Sequence, residues 1–517
     1  MLSETLAAYT ANRATSAPLP TGSAPYTSAE AFKLRRHGAR AKRWDHRLSS
    51  ESSNRATSTL KASSRVQNPE ATIPLGTARP SPQYYPWQSL TIRSLSTKEN
   101  AASTTAVSCE KGESAYDLGL ALNYGYAAGS PQLLRFVTEH VEMMHKPPYQ
   151  DWDCSLTCGT TSAMEIVLRM LCNPGDSVLV EAYTYPGTVE AAKGLALDMI
   201  GIKMDENGLL PDHLDTILTS WNDKLRPKPS VLYTVPTGHN PTGINQPIER
   251  RKAVYEVAER HDLLIIEDDP YYFIQLGEAS RTDQSSTSLP RSNDEYLERL
   301  PASYLSLDRS GRVLRIDATS KILAPGLRCG WITGCSQLIQ KFIHHTELSA
   351  VAPSGPSQVL LYKLLDETWG HQGFVSWLND LSLQYRERLN TMVSACERYL
   401  PESLCKWVVP SFGMFLWVKV DWVQHPAALR KCSGTAAGSM ALDVETRVFV
   451  AAKERGVIVS KGSWFATDQT SADQVHFRLA FVTAAETELE EAIRRFAGAI
   501  DEEFALQSLD WSAPRSP

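Results

Sequence analysis

From about residue 115 onward, short apolar runs alternate with segments in which apolar residues recur at helical spacing. The runs 231–235 and 263–266 are mostly apolar, which is typical of strands in a sheet covered on both faces. Between residues 162 and 171, Met164, Val167 and Leu171 fall on one helical face. The alternation predicts an α/β fold: a large domain with a mostly parallel central sheet flanked by helices.

Beyond residue 352 the predicted helices lengthen, and a further strand begins near residue 414. These features indicate a second, smaller α/β domain at the carboxy-terminal end. We therefore divide the ordered chain into an N-terminal arm with a substrate loop (65–114), a large domain (115–365), a small domain (366–505) and a tail (506–517). The segment from about 277 to 300 is polar and shows no periodicity, so we expect a surface insertion in the large domain.

Residues 1–64 differ from the rest because they are rich in Ser, Thr, Ala and Arg and contain few large aliphatic residues. This composition predicts a basic, mostly disordered N-terminal extension. A mitochondrial transit peptide is an alternative, although Glu4 and Glu30 are unusual in such peptides. A further alternative is that residues 46–64 form a helix that folds over the site.

Composition narrows the class of protein. The chain has 517 residues, of which 42% are hydrophobic and 21% charged, as in ordinary globular proteins with ample core. A net charge of −6 argues against a dedicated nucleic-acid binder, and no apolar run approaches the ~20 residues that span a bilayer. Nine cysteines without metal-ligand spacing or a C-x-x-C motif predict reduced thiols, no metal site and a cytoplasmic location.

Polar segments follow four of the predicted strands. Ligands in open α/β sheets bind beyond the carboxyl ends of the strands, so these segments are expected to meet at one site. The first contains a glycine turn that opens a helix, whose free N–H groups favour an anion. The four are a glycine turn at 157–161, an Asn-Pro-Thr-Gly loop at 236–243, an acidic segment at 267–272 and a lysine at 321.

The lysine carries the most specific chemistry. Lys321 lies just past a buried strand, with Ser320 beside it and Arg328 one loop further on. A buried lysine readily shifts its pKa, which suits an amine that captures a carbonyl group. A serine hydroxyl and a two-pronged arginine are groups that hold a phosphate. Together they describe a site for pyridoxal 5′-phosphate; the alternative is a surface lysine and arginine that flank a loop.

With these motifs assembled, residues 73–500 resemble the class I/II aminotransferases of pyridoxal-phosphate fold type I, the aspartate-aminotransferase-like fold. The similarity is greatest to the branch with fungal aromatic aminotransferases and kynurenine/2-aminoadipate aminotransferases. The motifs that carry it are His239-Asn240-Pro241-Thr242-Gly243, Glu267-Asp268-Asp269-Pro270-Tyr271-Tyr272, Ser320-Lys321 with Gly326-Leu327-Arg328, and Phe477-Arg478-Leu479-Ala480.

The resemblance implies a role for each residue around the ring of pyridoxal 5′-phosphate. Lys321 would form the imine with the cofactor and shuttle a proton to and from the substrate. Asp268 would face the pyridine nitrogen and keep it protonated, although such a residue could also cap a helix or turn. Asn240 and Tyr271 would hydrogen-bond the phenolic oxygen, and Asn240 by itself would most often be a turn residue.

The phosphate and the stacking face are assigned in the same way. Tyr185 would stack on the ring; its alternative is a core aromatic. Tyr124 matches a tyrosine that reaches the phosphate of the neighbouring subunit, which implies a homodimer with composite sites. The chain departs from the pattern of its relatives in having Thr160-Thr161 and Ala318 where hydroxyl or amide donors are common. The expected phosphate ligands within the chain are Thr160, Thr161, Ser320 and Arg328.

Substrate recognition is implied at two places. Arg478 would bind the α-carboxylate fork to fork; an outward, solvated arginine is the alternative. Arg79, beside Ala78 in the substrate loop, would place a positive charge near the distal end of a dicarboxylate, unless it is only a surface arginine. Asn240 and Tyr185 would also contact the substrate. Trp464 and Phe465 resemble a loop lining the side-chain pocket, and Lys461 stands where many relatives have proline.

These expectations predict an aminotransferase that moves the amino group of an aromatic, or similarly large, L-amino acid to a 2-oxo acid by a ping-pong cycle. A β-lyase or a decarboxylase with the same cofactor is one alternative. A non-catalytic ligand-sensing regulator is another, although residues 1–72 show no helix-turn-helix pattern. The predicted partners are amino acid and 2-oxo acid substrates and a second copy of the chain, with no nucleic acid and no membrane.

Overall fold

The computed structural model describes residues 2–22, 24–35, 37–57, 75, 78–95, 104–277, 290, 292–429, 437–467 and 474–504. The strands are β1 Ser89–Leu95, β2 Thr104–Glu110, β3 Trp152–Thr157, β4 Ser177–Glu181, β5 Asp198–Ile202, β6 Met204–Asp205, β7 Gly208–Leu209, β8 Val231–Thr234, β9 Leu264–Asp268, β10 Val313–Ala318, β11 Gly330–Cys335, β12 Cys405–Trp407, β13 Phe415–Val420, β14 Ser460–Lys461 and β15 Val475–Ala480.

A seven-stranded sheet in the order β3-β11-β10-β9-β8-β4-β5 forms the centre of the large domain. The pairs from β10 to β5 are parallel, and β11 runs antiparallel to both of its neighbours. Every residue of β3, β4, β8, β9, β10 and β11 is buried, so the sheet is covered on both faces. The predicted mostly parallel α/β sheet is confirmed, and β3, β4, β8, β9 and β10 all end at one edge.

Helices cover both faces of this sheet because each carries an apolar stripe. Pro131–His145 begins where Ser130 caps the N–H of Leu133 and proline occupies the first helical position, a favourable start for a helix. The main helices around the sheet are Pro131–His145, Thr160–Leu171, Pro186–Gly194, Pro211–Thr219, Ile248–Arg260 and Ser336–Glu347, with short ones at Leu118–Ala121, Asn293–Glu298 and Tyr304–Leu307.

The small domain contains an antiparallel four-stranded sheet in the order β12-β13-β15-β14. It is reached through Gly355–Tyr362 and a π-helical segment at Lys363–Trp369, which continue into a long helix. The helices of this domain are Gly370–Tyr399, Pro426–Leu429, Ala437–Glu454 and Glu486–Glu503. Within the described ranges, no helix combines the length and apolarity needed to cross a membrane.

The N-terminal extension is ordered where the structure describes it, so the prediction of a mostly disordered segment is wrong for residues 2–22, 24–35 and 37–57. It contains the helices Leu2–Thr15 and Ser50–Asn54. Trp44 is fully buried beneath the guanidinium of Arg312, 5.0 Å from the ring centroid. Lys33 is also buried and donates to the carbonyl of Trp152 over a distance of 2.5 Å. The few large residues therefore act as single anchors, which average composition does not reveal.

The alternative of a helix over the site also fails for residues 46–57. The helix Ser50–Asn54 lies at the carboxyl end of Thr160–Leu171, where the Ser49 N–H donates to the Met170 carbonyl at 2.9 Å. The candidate site adjoins the opposite end of that helix, about 18 Å away at 1.5 Å per residue. Residues 58–64 lie outside the described residues.

The polar segment near residue 290 differs from the prediction in its second half. Residues 278–289 and 291 lie outside the described ranges, but Asn293–Glu298 is a helix. Its Tyr296 is buried, and the phenol donates to the Phe273 carbonyl at 2.6 Å. This half packs on the body of the large domain because one aromatic side chain anchors it.

Candidate active site

The strand ends of the large sheet and one strand of the small sheet bring the predicted residues together. Lys321 follows β10, Asp268 ends β9, and Asn240 lies in the loop after β8. Arg478 enters from β15 of the small domain and donates from Nη1 to Oδ1 of Asn240 at 2.7 Å. The site therefore lies between the two domains, at the carboxyl edge of the parallel strands.

Lys321 is a half-buried amine in a mainly cationic environment. Its pKa is lowered, first by burial and then by repulsion from the guanidinium groups of Arg478 and Arg328. The carboxylate of Asp268 opposes this effect. These four charged groups therefore share one site, which excludes the alternative of an isolated surface lysine.

Asp268 is a buried carboxyl group in which one oxygen accepts a hydrogen bond and the other has no partner in the described residues. The Tyr233 phenol donates to Oδ2 at 2.8 Å, whereas Oδ1 has no hydrogen-bond partner in the described residues. Burial raises the pKa of Asp268 to about 6, aided by Asp317, while Tyr233, Arg315 and Lys321 act in the opposite direction. A buried oxygen without a partner is unusual in native proteins, and it fits a cationic N–H donor such as a protonated pyridine ring.

Asn240 and Tyr271 connect the two sides of the site. Asn240 precedes a cis peptide bond to Pro241 and accepts the hydrogen bond from Arg478. Burial and the Asp268 charge raise the pKa of Tyr271, whereas Arg478 and a hydrogen bond from Asn240 act in the opposite direction. Both side chains are almost fully buried and interact with Arg478, so Asn240 is more than a turn residue.

The glycine turn and Arg328 form an anion cradle. Gly159 has a φ of 89°, and a Cβ atom there would lie 2.4 Å from Nη2 of Arg328. The helix Thr160–Leu171 starts at this turn without a side-chain cap, so its first N–H groups are open to an anion. Thr160 and Thr161 lie in the first turn of the helix, and Ser320 is next to Lys321. These groups fit the phosphate of pyridoxal 5′-phosphate.

Tyr185 and Tyr124 occupy different surroundings. Tyr185 is 37% exposed and influences the pKa of Arg478 and of Tyr271, so it borders the site and is not a core aromatic. Tyr124 is 57% exposed and lies on the surface after the helix Leu118–Ala121. The structure brings Tyr185 to the cluster and leaves Tyr124 on the outside of the chain.

Ala78 and Arg79 lie near Tyr124. Ala78 is exposed and Arg79 is half-buried. The carbonyl of the next residue, Pro80, accepts hydrogen bonds from the Tyr85 phenol at 3.0 Å and from Nδ2 of Asn123 at 3.4 Å. Asn123 directly precedes Tyr124. The segment with Ala78 and Arg79 and the segment with Tyr124 are therefore neighbours on one surface of the chain.

Aromatic rings surround Arg478. Its guanidinium lies 4.5 Å from the centroid of Phe415 and 4.8 Å from that of Phe465. Burial is the main cause of its lowered pKa, and its Nε has no partner in the described residues, so the outward alternative is wrong. Trp464, in contrast, is 44% exposed and packs against Phe449 at 5.3 Å between centroids.

Sequence reasoning missed two features of the site. Tyr233 lies in a run interpreted as a buried strand, but a buried phenol needs a hydrogen-bond partner, which was the available signal. Trp417 and His476 stack at 4.8 Å between centroids, and Tyr183 meets Trp417 edge-on at 5.4 Å. These rings come from β13, β15 and the segment after β4, and no local pattern indicates that they meet.

A fully buried ionic cluster supports the site from behind. Arg315 lies 3.0 Å from a carboxylate oxygen of Glu267, 3.2 Å from one of Asp269 and 2.8 Å from one of Asp317. Its guanidinium also lies 4.5 Å from the ring centroid of Tyr272. Glu267 and Asp269 flank Asp268, and Arg315 and Asp317 lie on β10 a few residues before Lys321, so the cluster holds these two strand ends together.

The large and small sheets, with a lysine, an aspartate and an anion cradle at the carboxyl edge, define the aspartate-aminotransferase-like α/β fold of fold type I. The sequence profile described as "Aminotransferase class I and II" matches residues 92–496, and the chain belongs to this family. The protein is accordingly an aminotransferase, as the sequence predicted.

Known relatives agree with this assignment. The chain is 49% identical over 470 residues to aminotransferase swnA of Arthroderma benhamiae, covering 90% of this chain and 92% of that protein. It is 37% identical to an aromatic amino acid aminotransferase of Schizosaccharomyces pombe, covering 90% and 99% of the two chains. The crystal structure of aminotransferase Aro8 from Candida albicans superposes with a TM-score of 0.83 at 33% identity, covering 90% of this chain and all (100%) of that one.

Proposed function

We propose that the protein uses pyridoxal 5′-phosphate to move the amino group of an aromatic, or similarly large, L-amino acid to a 2-oxo acid such as 2-oxoglutarate or an arylpyruvate. The observation that carries this proposal is the grouping of the Lys321 amine with the Asp268 carboxylate and the Arg478 guanidinium. The amine of Lys321 suits carbonyl chemistry, the carboxylate of Asp268 suits a protonated ring nitrogen, and the guanidinium of Arg478 suits a substrate carboxylate.

The chain offers a partner for each end of the cofactor. Oδ1 of Asp268 would accept a hydrogen bond from the ring nitrogen, and Tyr185 would cover the ring. The uncapped turn at Gly159 and the Arg328 guanidinium would hold the phosphate. When bound, pyridoxal 5′-phosphate supplies an electron sink that stabilises negative charge on the substrate α-carbon.

Lys321 is positioned to move the proton of that carbon. Because burial and two neighbouring guanidinium groups lower the pKa of its amine, the neutral form that accepts a proton is more populated than in a free lysine. Arg478 would bind the substrate α-carboxylate by a two-pronged contact through its unpartnered Nε and through Nη2, which also donates to Oγ of Ser460 at 3.2 Å. This contact would orient the α-carbon toward the amine.

The rings near Arg478 favour an aromatic substrate. Phe415 and Phe465 flank the guanidinium, and the stacked pair Trp417 and His476 lies next to Phe465 and Tyr183. Apolar, flat surfaces of this kind pack against an aryl side chain. The names of the S. pombe relative and of the tyrosine aminotransferase of Serpula lacrymans, 35% identical over 394 residues, support the same substrate class.

Homodimerisation is part of the proposal. Tyr124 is exposed and lies beside the segment with Ala78 and Arg79, and Trp87 in the following stretch is 61% exposed. Contact of this surface with a second copy would bring Tyr124 to the phosphate and Arg79 to the distal end of the substrate in the neighbouring site. We also propose a cytoplasmic location, which microscopy of a fluorescent fusion protein would test.

The visible spectrum of the cofactor-loaded protein tests the proposed reaction. Adding phenylalanine or tyrosine should bleach the absorbance of the bound cofactor, and adding 2-oxoglutarate should restore it. Chromatography should then find one equivalent of arylpyruvate for each glutamate. Release of ammonia or of an aryl amine instead would indicate a β-lyase or a decarboxylase. A protein that binds amino acids without turnover would support the regulator alternative.

A further inference from the structure

Two cysteines face each other where neighbouring strands of the central sheet end. β3 and β11 pair antiparallel, with Cys154 opposite Thr333 and Thr157 opposite Gly330. One further step of the same register places Cys158 opposite Cys329. Directly opposed residues of antiparallel strands have Cβ atoms about 4.5–5.5 Å apart, so the two side chains start within reach of each other.

If the alternation of the two strands continues by one residue, both thiols lie on the same face of the sheet. Side chains alternate between faces along a strand, so Cys158 shares a face with Cys154, and Cys329 shares one with Thr333. On that face Sγ of Cys154 lies 3.4 Å from Oγ1 of Thr333, so opposed side chains do meet there. A Cys158 thiolate adds to the effect of burial in raising the pKa of Cys329 to about 12.

The pair differs in access. Cys158 is half-buried, and the guanidinium of Arg328 partly offsets the rise in its pKa that burial causes. Cys329 is 1% exposed. A dissolved disulfide therefore reaches Cys158 first, and Cys329 is the enclosed thiol beside it. Neither is disulfide-bonded in the structure.

We propose that Cys158 and Cys329 are a modification site that forms a reversible intramolecular disulfide on exposure to a low-molecular-weight disulfide such as glutathione disulfide. The Cys158 thiolate attacks one sulfur of glutathione disulfide, which breaks the S–S bond and releases one glutathione thiolate. The Cys329 thiolate then attacks Sγ of Cys158 and releases the second. Two cysteine thiols are oxidised, one glutathione disulfide is reduced, and both protons end on glutathione.

The cross-link would fit the native backbone. Disulfides bridge Cα atoms about 4.4–6.8 Å apart, a range that includes opposed residues of antiparallel strands. The closed loop would contain all residues between 158 and 329, which include most of the large sheet. Because a disulfide across a long loop restricts the unfolded chain most, we expect the melting temperature to rise by roughly 5 °C.

Mass spectrometry of the full-length protein tests the proposal. After incubation with glutathione disulfide, the intact protein should lose the mass of two hydrogen atoms and carry no glutathione. Alkylation after unfolding should then modify two cysteines fewer than in the untreated protein. Digestion should yield one cross-linked peptide pair that contains Cys158 and Cys329, and dithiothreitol should reverse it. Cys396 and Cys405, which influence each other but are both fully buried, should remain alkylatable after unfolding.

Two variants separate the steps. Cys158→Ser should prevent both the cross-link and glutathione attachment. Cys329→Ser should halt the reaction at the mixed disulfide, in which glutathione remains attached to Cys158. Wild-type protein that holds glutathione on Cys158 without a cross-link would overturn the proposal. So would a cross-link from Cys158 to Cys432, which lies outside the described residues. The peptide map of the wild type decides this even if a variant folds poorly.

Discussion

The Tyr233 phenol donates a hydrogen bond of 2.8 Å to Oδ2 of Asp268. It thereby fixes the carboxyl group and leaves Oδ1 without a hydrogen-bond partner in the described residues. Tyr233 belongs to β8 and Asp268 to β9, which pair in parallel, so the contact depends on the register of the sheet. Tyr233 therefore positions the residue that would bind the cofactor ring nitrogen.

Replacing Tyr233 with phenylalanine tests this relationship. A hydrogen bond to a charged group contributes about 1.5–3 kcal/mol, so Tyr233→Phe should weaken pyridoxal 5′-phosphate binding by about 10- to 100-fold. Tyr304→Phe is the matched control, because its buried phenol donates to Oε1 of Gln246 at 2.8 Å instead. Fluorescence titration with the cofactor measures both. Equal losses in the two variants would contradict the positioning role.

Lys321→Ala should abolish both turnover and the covalently linked form of the cofactor. The Lys321 amine lies with Asp268 and Arg478, and alanine retains neither the nucleophile nor the base. Borohydride treatment followed by mass spectrometry should attach the cofactor to wild type and to Lys341→Ala, in which a half-buried lysine far from the site is removed. Attachment to the Lys321→Ala protein at another lysine would show that the site is assigned wrongly.

Arg478→Lys should reduce kcat/KM for the amino acid more than kcat. Lysine keeps the charge but cannot form the two-pronged contact with a carboxylate. The loss of one charge-assisted hydrogen bond, about 1.5–3 kcal/mol, predicts a decrease of about 10- to 100-fold. Arg447→Lys changes an exposed arginine paired with Asp443 and should leave the kinetics unchanged. Steady-state rates with varied phenylalanine distinguish the two.

Arg79→Leu should raise the KM for 2-oxoglutarate and leave the KM for an arylpyruvate unchanged. The expectation rests on the proposed contact between the surface near Tyr124 and a second copy of the chain. Arg93→Leu, on the neighbouring strand β1, provides a control of equal charge change. If both acceptors respond alike, Arg79 has no role in recognising a distal carboxylate.

The contribution of Asp268 to the stability of the cofactor-free protein should fall as pH rises from about 4 to 7. Burial raises the pKa of Asp268 from 3.8 to about 6, so the folded state binds this proton more tightly than the unfolded chain does. The stabilisation that protonated Asp268 gives the folded state is therefore fully present below about pH 4. It is lost as pH rises through 6, and the total loss is about 3 kcal/mol. Thermal melts of wild type and Asp268→Asn across this range isolate the contribution, which the variant should lack.

The large sheet could be predicted because its strands are continuous apolar runs and its site residues follow directly in sequence. Lys321 and Asp268 carry the chemistry that such strand ends position. Tyr233 could not be assigned, because its hydrogen bond depends on strand register. The order of the N-terminal extension could not be assigned either, since Trp44 and Lys33 are stabilised by residues more than a hundred positions away.

The buried position of Trp44 has a consequence for the expression of N-terminally truncated forms of the protein. Its indole fills a slot between Arg312 and the Ser310 carbonyl, which accepts from Nε1 at 3.3 Å, and Ala41 nearly touches Gly311. A truncated protein that begins after residue 64 would lack Trp44. The cavity left between Arg312 and Ser310, just before β10, would then be exposed to solvent. We expect this truncated protein to aggregate during expression and not to yield an active enzyme.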